Sequence, residues 1–386
     1  MPPPLPANPF PTVNLSGADR NVIVDSVELL LHDALAQYEA HLVESKGVVP
    51  ERIWKLVKSQ DGVTVYRKRK TPRRASDSAK VHTILAVGTL PGSVDDLLYG
   101  CVNPRGELAS AYSHYIFKNT VSGQATLASI VAPSRKDPAR SVAIKWDAHG
   151  AAAPFNKVFD TRDFVAAEAT GSTINSLGER IAYFMLHSID VAGAPELAEH
   201  RIIRATKFFT FLYRQMSPDR VDIYMMGRID TRGKIPTGIA ARASAEGLVR
   251  IILRTKQFSD MKKRTWLFSH FQTMASIPFS GATPPPGGCV VCSKSLASML
   301  HPSRTCVVCR RQVCGSCSAM HKVLSSDGAT ASKRATMRPV PFCSHCLARA
   351  HQLNAWELAV AETAAVLEAA EASEEGSQAS TFASLT

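Results

Sequence analysis

The sequence predicts an α+β fold in two parts, an antiparallel sheet closed by one long helix and then a small finger held by metal ions. Three observations predict it. Short strand-like runs broken by turns recur from about residue 50 to residue 227, and a single long stretch of three- to four-residue apolar periodicity follows at 236–263. Strands in series with one terminal helix argue for α+β rather than for alternating α/β units. Eight of the nine cysteines then fall in four Cys-x2-Cys pairs, Cys289/Cys292, Cys306/Cys309, Cys314/Cys317 and Cys343/Cys346.

Composition bounds the possibilities. A chain of 386 residues is too long for one ordinary core and predicts two or three domains. With 45% hydrophobic and 20% charged residues it is globular, and its net charge of +12 points to an anionic partner, lipid or nucleic acid. No apolar run approaches the ~20 residues of a membrane span, so membrane contact is expected to be peripheral. The opening MPPPLPANPFPTVN lacks a basic region followed by an apolar one. The expectation is therefore a cytoplasmic protein without disulfides.

Taken in order, residues 1–18 are proline-rich and read as a disordered tail. Val22, Val27, Leu30, Leu31, Leu35, Tyr38 and Leu42 recur at helical spacing, giving an amphipathic helix over 19–46. Glu28, Asp33, Glu39 and Glu44 have the wrong sign for an anionic membrane, so its apolar stripe is expected to pack on the next domain, 47–275. There, Asp61-Gly62 between Trp54–Val57 and Val63–Tyr66 is a hairpin signal. Further strands are expected at 83–87, 114–118, 126–131, 142–146, 164–168, 180–187, 202–212 and 221–227, with a helix at 93–99 and the long one at 236–263. Residues 276–288, rich in proline and glycine, read as a linker. The finger spans 289–350, an Ala/Leu/Glu-rich helix ends near 372, and 373–386 read as a disordered tail.

Two residues between cysteines put two sulfurs on one tight knuckle, and four knuckles supply two tetrahedral sites. Iron–sulfur clusters also use four cysteines, but evenly paired knuckles on a basic, loop-rich segment fit two structural zinc ions better. The four-residue gap between Cys309 and Cys314 and the Cys-Gly-Ser-Cys-Ser run at 314–318 resemble the FYVE family of zinc fingers. That resemblance implies a cross-brace, with Cys289, Cys292, Cys314 and Cys317 on one ion and Cys306, Cys309, Cys343 and Cys346 on the other. It also implies docking on an anionic or endosomal membrane. The family's phosphoinositide motifs are absent: Pro302-Ser303-Arg304-Thr305 precedes Cys306 and Pro341-Phe342 precedes Cys343. Charge survives, with Arg304, Arg310 and Arg311 as headgroup candidates, each cation contributing about 1 kcal/mol near an anionic leaflet. Leu296 is expected to pack on the zinc core. Met299 and Leu300 fit either core packing or a membrane-dipping loop.

A second resemblance covers most of residues 50–270. The Trp54 strand with Gly62–Tyr66, the Gly88–Leu97 helix start, Lys145-Trp146, Thr161–Val165 and Gly233–Pro236 before the last helix are together similar to START lipid-binding domains. The resemblance implies a helix-grip fold: a curved antiparallel sheet around a long C-terminal helix, with an apolar tunnel between them for one lipid. Trp146, Arg162, Ile251 and Ile252 are the candidates for its lining, and no catalysis is needed. Trp146 and Trp266 read equally as core, and Arg162-Asp163 as an ion pair at a strand start.

His187, Ser188 and Asp190 cannot form a triad by themselves, because adjacent strand residues point to opposite faces. Cys101 reads as a small buried hydrophobe. No aromatic residues interleave with the finger's cations, which argues against nucleic acid. A finger that binds a protein partner, as an adaptor, is the alternative to membrane docking.

Overall fold

The computed structural model describes residues 9–10, 12–69, 81–103, 106–151, 158–270, 287–296, 303–326 and 335–383. Asp61 and Gly62 both adopt positive φ, 48° and 83°, the type I′ geometry that matches strand twist. They join β1 (Trp54–Gln60) to β2 (Val63–Lys68), and β3 (Val81–Pro91) pairs with β2. The chain then crosses through α2 (Val94–Cys101) and α3 (Gly106–Phe117) and returns as a meander of β4 (Val121–Val131), β5 (Ser141–His149), β6 (Thr161–Ile174), β7 (Arg180–Ser188), β9 (Thr206–Ser217) and β10 (Arg220–Asp230). The sheet order is β1-β2-β3-β10-β9-β7-β6-β5-β4, with the short β8 (Ile202–Arg204) parallel to the start of β6. The last strand of the meander thus pairs with β3, and the sheet curves around α4 (Thr237–His270). The expected helix-grip fold is present.

Each face of the sheet is covered for a different reason. On the concave face Ile84, Ala86, Phe184, Phe211 and Met225 pack against Leu248, Ile251 and Ile252 of α4 and Leu97 and Leu98 of α2. On the convex face lies the first helix, α1 (Gly17–Val43), capped by Ser16 and Asp19 in a capping box. Val27, Leu31 and Tyr38 bury against Leu85, Met185, Leu212 and Tyr224, and the Tyr38 hydroxyl donates to Asp222. As the acidic stripe predicted, α1 packs on the protein.

Four sequence expectations are corrected. Residues 114–118 belong to α3 instead of a strand, because Ala111, Tyr112 and Tyr115 bury against Phe258 of α4 at helical spacing. The run 202–212 is two strands, broken where the Ala205 amide turns to the Asp163 carbonyl. The tail is partly anchored: Phe10 packs edge-on to Trp146 at 5.5 Å, and the Val13 amide donates to the Leu127 carbonyl at 3.1 Å. The C-terminal helix is two, α5 (Ser344–Gln352) and α6 (Ala355–Ala383), separated at Leu353 and continuing past 372. Residues 276–286 of the expected linker lie outside the described residues.

The finger, built from β11 (Arg304–Thr305), β12 (Gln312–Val313), the hairpin β13 (Ser318–Ser326) and β14 (Ala335–Cys343), and α5, docks on the far end of α4. Leu267 and Phe268 enter its cysteine-centred core, and the Leu324 amide donates to Thr265 at 2.9 Å. α6 returns to α2, where the Tyr99 hydroxyl donates to Glu362 at 2.7 Å. Between them the fully buried Lys262 donates to the Tyr99 and Val102 carbonyls at 3.0 and 3.1 Å and pairs with Glu362 at 3.0 Å. Among the described residues no helix is long and apolar enough to cross a membrane.

Two glycines test the packing with opposite signs. A Cβ on Gly100 of α2 would meet the Thr255 carbonyl of α4 at 2.4 Å, whereas a Cβ on Gly247 meets nothing within 4 Å. Thermal or urea denaturation should show Gly100→Ala destabilising by about 1–3 kcal/mol. Gly247→Ala should stabilise by up to about 1 kcal/mol through helix propensity.

Candidate functional site

The eight paired cysteines form two clusters: Cys289, Cys292, Cys314 and Cys317, and Cys306, Cys309, Cys343 and Cys346, with the sulfurs of each within 4.8 Å of one another. The pairs interleave in the cross-brace order. Cys292 and Cys314 sulfurs are 3.7 Å apart and those of Cys309 and Cys343 are 3.9 Å apart. A tetrahedron with metal–sulfur bonds of about 2.3 Å has edges of about 3.8 Å, so each cluster fits one four-coordinate ion.

The surrounding backbone suits thiolates. The Cys314 amide points at the Cys289 sulfur at 3.4 Å, and the Cys343 amide at Cys306 at 3.3 Å. Burial pushes the Cys289 thiol up, but the amides of Cys314, Cys292 and Val291 outweigh it and hold it below its ordinary value. Val308, Val313, Val323, Val340 and Phe342 supply the finger's apolar core, and Leu296 packs against it as expected. Arg304 is half-buried on β11, and Arg310 and Arg311 are exposed beyond Cys309, so the three flank one knuckle. Met299 and Leu300 lie outside the described residues.

The second site is the space between sheet and helices. Strand β5 alternates strictly: Val142, Ile144, Trp146 and Ala148 face the convex side, which leaves Lys145, Asp147 and His149 on the concave one. Lys145 pairs with Glu168 of β6. Asp147 accepts from Lys207 of β9 at 2.7 and 3.0 Å and lies 2.7 Å from His149 Nε2. Lys207 sits 4.5 Å above the Phe164 ring, and His149 stacks edge-on to Phe117 at 4.6 Å. Burial pushes Asp147 up, yet Lys207 and His149 outweigh it and hold its carboxyl well below the usual range.

Asp147 is mostly buried, with 23% of its side-chain surface reachable by solvent. Lys145 and Glu168, at 31% and 20%, stand close to the buried Cys101 of α2. Beside them Tyr112 of α3 shares a hydrogen bond with Thr255 of α4 at 2.9 Å. Tyr213 of β9 is fully buried near Cys101 and Tyr112, and its hydroxyl has no hydrogen-bond partner. A buried hydroxyl left unpaired costs about 1–3 kcal/mol, so this one marks where a ligand's polar atom or a water belongs.

The sequence candidates distribute unevenly. Ile251 and Ile252 lie in the sheet–helix core. Trp146 faces the other way, buried with Phe10 and Val165 on the convex side and donating to Asp163 at 2.9 Å. Arg162 grips the Asp160, Thr231 and Arg232 carbonyls and so ties the loop before α4 to the start of β6. Asp163 is paired with Arg204 at 3.0 Å in two places, not with Arg162. Cys101 is buried, and burial pushes its thiol well above the ordinary value. His187 is turned to Thr210 at 2.9 Å while Ser188 accepts from the Lys207 amide, so no triad forms there. Asp147, His149, Glu168, Lys207 and Tyr213 are not legible as site residues in the sequence, and Lys145 enters there only as part of the START resemblance.

One further cleft, of about 330 Å3, opens beside β8 and is lined by Ser188, Asp190, Arg204 and Arg232 among others. Its guanidinium groups are engaged, Arg204 by Asp163 and Arg232 by Glu196 at 3.3 Å.

The sheet and the gripped helix match the architecture that the resemblance implied. Residues 54–270 have the helix-grip fold. No family model matches the chain, and no curated protein matches it. Among solved structures it is similar to human STARD10, at 13% identity over 62% of this chain and 83% of that one with a TM-score of 0.41. It is also similar to human StAR-related lipid transfer protein 5, at 14% identity over 61% and 97% with a TM-score of 0.41. A STAR-related lipid transfer protein from Xanthomonas axonopodis aligns at 12% identity over 54% and 98% with a TM-score of 0.38.

Two measurements check these assignments. Elemental analysis of Cys343→Ser should find half the metal of the parent chain, with the finger's proteolytic protection lost, because metal binding is folding free energy in such domains. The second is a pH profile. Burial holds His187 down, from 6.5 to about 4, so the folded state resists its protonation. Its contribution is intact above the unfolded pKa and is lost as pH falls from 6.5 towards 4, at about 1.4 kcal/mol per unit. Urea midpoints of His187→Gln should fall less steeply across that window than those of the parent.

Proposed function

We propose that this is a non-enzymatic lipid-binding protein, in which the space between sheet and α4 holds one lipid and the finger, carrying two zinc ions, docks the protein on an anionic membrane surface. The single observation that carries the reading is the enclosed but accessible polar set, Lys145, Glu168 and Asp147, beside the orphaned Tyr213 hydroxyl and beneath an otherwise apolar lid of α2, α3 and α4. An apolar enclosure with a few convergent polar groups suits a ligand with an apolar body and a polar head. Each methylene withdrawn from water contributes about 0.8 kcal/mol, so shielding a lipid needs no chemical step. Among the described residues the charged groups of this interior are paired with one another.

For the finger, the support is the cross-braced cysteine geometry and the cations Arg304, Arg310 and Arg311 on its surface. The FYVE-type assignment, the cytoplasmic setting and the endosomal membrane rest on the sequence resemblance. Docking on a protein partner is the second reading. It is favoured by Pro341-Phe342 standing where the family carries headgroup-binding residues.

The test is extraction. Delipidated protein mixed with liposomes should take up one lipid per chain, read by native mass spectrometry; no uptake and no copurifying lipid would sink the tunnel reading. Tyr213→Phe should leave the lipid-free protein as stable or more so, since it removes an unpaired hydroxyl, while weakening retention of the bound lipid. Flotation with anionic vesicles separates the finger's two readings: salt-sensitive binding supports the membrane, and its absence supports the adaptor.

A further inference from the structure

The seam between α4 and the finger gathers two guanidinium groups and two imidazoles that no carboxylate pairs with among the described residues. His321 and Val323 of β13 share a face with Val340 and Arg338 of β14, since His321 pairs with Val340 and Val323 with Arg338. Arg338 is therefore one cross-strand diagonal from His321, roughly 7–8 Å between Cα atoms. Its guanidinium lies 5.6 Å from the Phe268 ring at the end of α4. From α4, Arg264 reaches the same place and donates to the Lys322 carbonyl at 3.4 Å. Burial disfavours protonation of the His321 ring, and Arg264 and then His351, at the end of α5, are near enough to add to it. Phe342 backs the imidazole edge-on at 6.1 Å.

The two guanidinium groups are only partly offset: Asp260 favours the charged form of Arg264 without forming an ion pair with it. Among the described residues no carboxylate pairs with Arg264, Arg338, His321 or His351. The nearest acid, Asp260 one turn before Arg264, is held by Lys256 at 2.5 Å. The adjoining segments 271–286 and 327–334 contain one acid, Asp327, against Lys333 and Arg334. His321 Nε2 is buried without a hydrogen-bond partner, while Arg338 and His351 are exposed, so the place can be reached from solvent.

We propose that Arg264, His321, Arg338 and His351 form a binding site for a phosphate-bearing anion at the seam between the long helix and the finger. A single carboxylate would offset only one of the two guanidinium charges; a phosphate carries close to two charges and three acceptor oxygens, and guanidinium groups match it in a fork while the imidazoles can donate to it. The source is either a phosphorylated lipid headgroup or a soluble phosphate ester. This site is separate from the lipid interior and stands or falls without it. Its occupation would cement the hairpin to α4, because the donors come from both sides.

The test uses the full-length, metal-loaded chain with inositol hexakisphosphate and, separately, phosphatidylcholine vesicles with and without phosphorylated phosphatidylinositol. Calorimetry should give saturable binding of inositol hexakisphosphate that weakens at least about tenfold in Arg338→Gln and in Arg264→Gln, the size of one lost charge-assisted hydrogen bond. The charge-matched Arg52→Gln, on an exposed turn before β1, should bind like the parent. If flotation on phosphorylated vesicles also drops in the two variants, the ligand is a headgroup; if only the soluble ligand is affected, it is a phosphate ester. Equal affinity in parent and variants, or no saturable binding, overturns the proposal. Should either variant lose metal, the parent decides: the His321 ring must titrate at higher pH when the ligand is added, and an unchanged titration also overturns it.

Discussion

Two unlike surfaces share one helix, and the rest of the structure depends on that. α4 spans 34 residues, about 51 Å at 1.5 Å per residue. Its first half fills the concave sheet through Leu248, Ile251 and Ile252, and its last turns supply Leu267 and Phe268 to the cysteine-centred core. Where the halves meet, Lys262 is fully buried, and its ammonium satisfies two carbonyls at the end of α2 and the Glu362 carboxylate of α6. Removing one partner of a buried charge pair commonly costs about 3–5 kcal/mol, so this contact ties α4 to α2 and α6. Asp96 works similarly nearby: burial pushes it up, but Lys256 and Lys263 prevail and keep it ionised.

The gripped half of α4 covers an interior that is not uniformly apolar. Burying Asp147 and Lys207 is tolerable because each is the other's partner, with His149 and the Phe164 face completing the set. Lys145 and Glu168 are matched in the same way. What remains unmatched is a neutral hydroxyl on Tyr213, which costs far less to leave waiting than a charge would. The charges of this interior are therefore matched within the protein.

The finger obeys another constraint. Its own apolar core is a handful of side chains around two groups of sulfurs, too little to offset the conformational entropy of ordering the segment without metal. The long hairpin β13–β14 then borrows stability from α3 and α4 through Leu324 and Met337. That borrowing also brings basic residues of both parts together at the seam.

Much was legible before any coordinates. Asp61-Gly62 specified its turn, the cysteine spacing specified paired knuckles, and the run of strands before one long helix specified the α+β arrangement, because each is a local rule of backbone or ligand geometry. The register of metal ligands came through resemblance alone, since spacing leaves several pairings open. The polar interior was not legible. Lys145, Asp147 and His149 alternate with apolar residues as a solvent-facing strand edge would, and only the crossover of α2, α3 and α4 over that face turns it inward. Trp146 is core, as one of its two readings had it, but on the convex face and not in a tunnel lining, and His114–Lys118 was misread because its strand-like run is helical once Phe258 offers it a surface. Sequence therefore determined the elements and the metal-binding chemistry, which depend on neighbours along the chain. Tertiary structure alone decided which faces are inside, because burial is settled by elements more than a hundred residues apart.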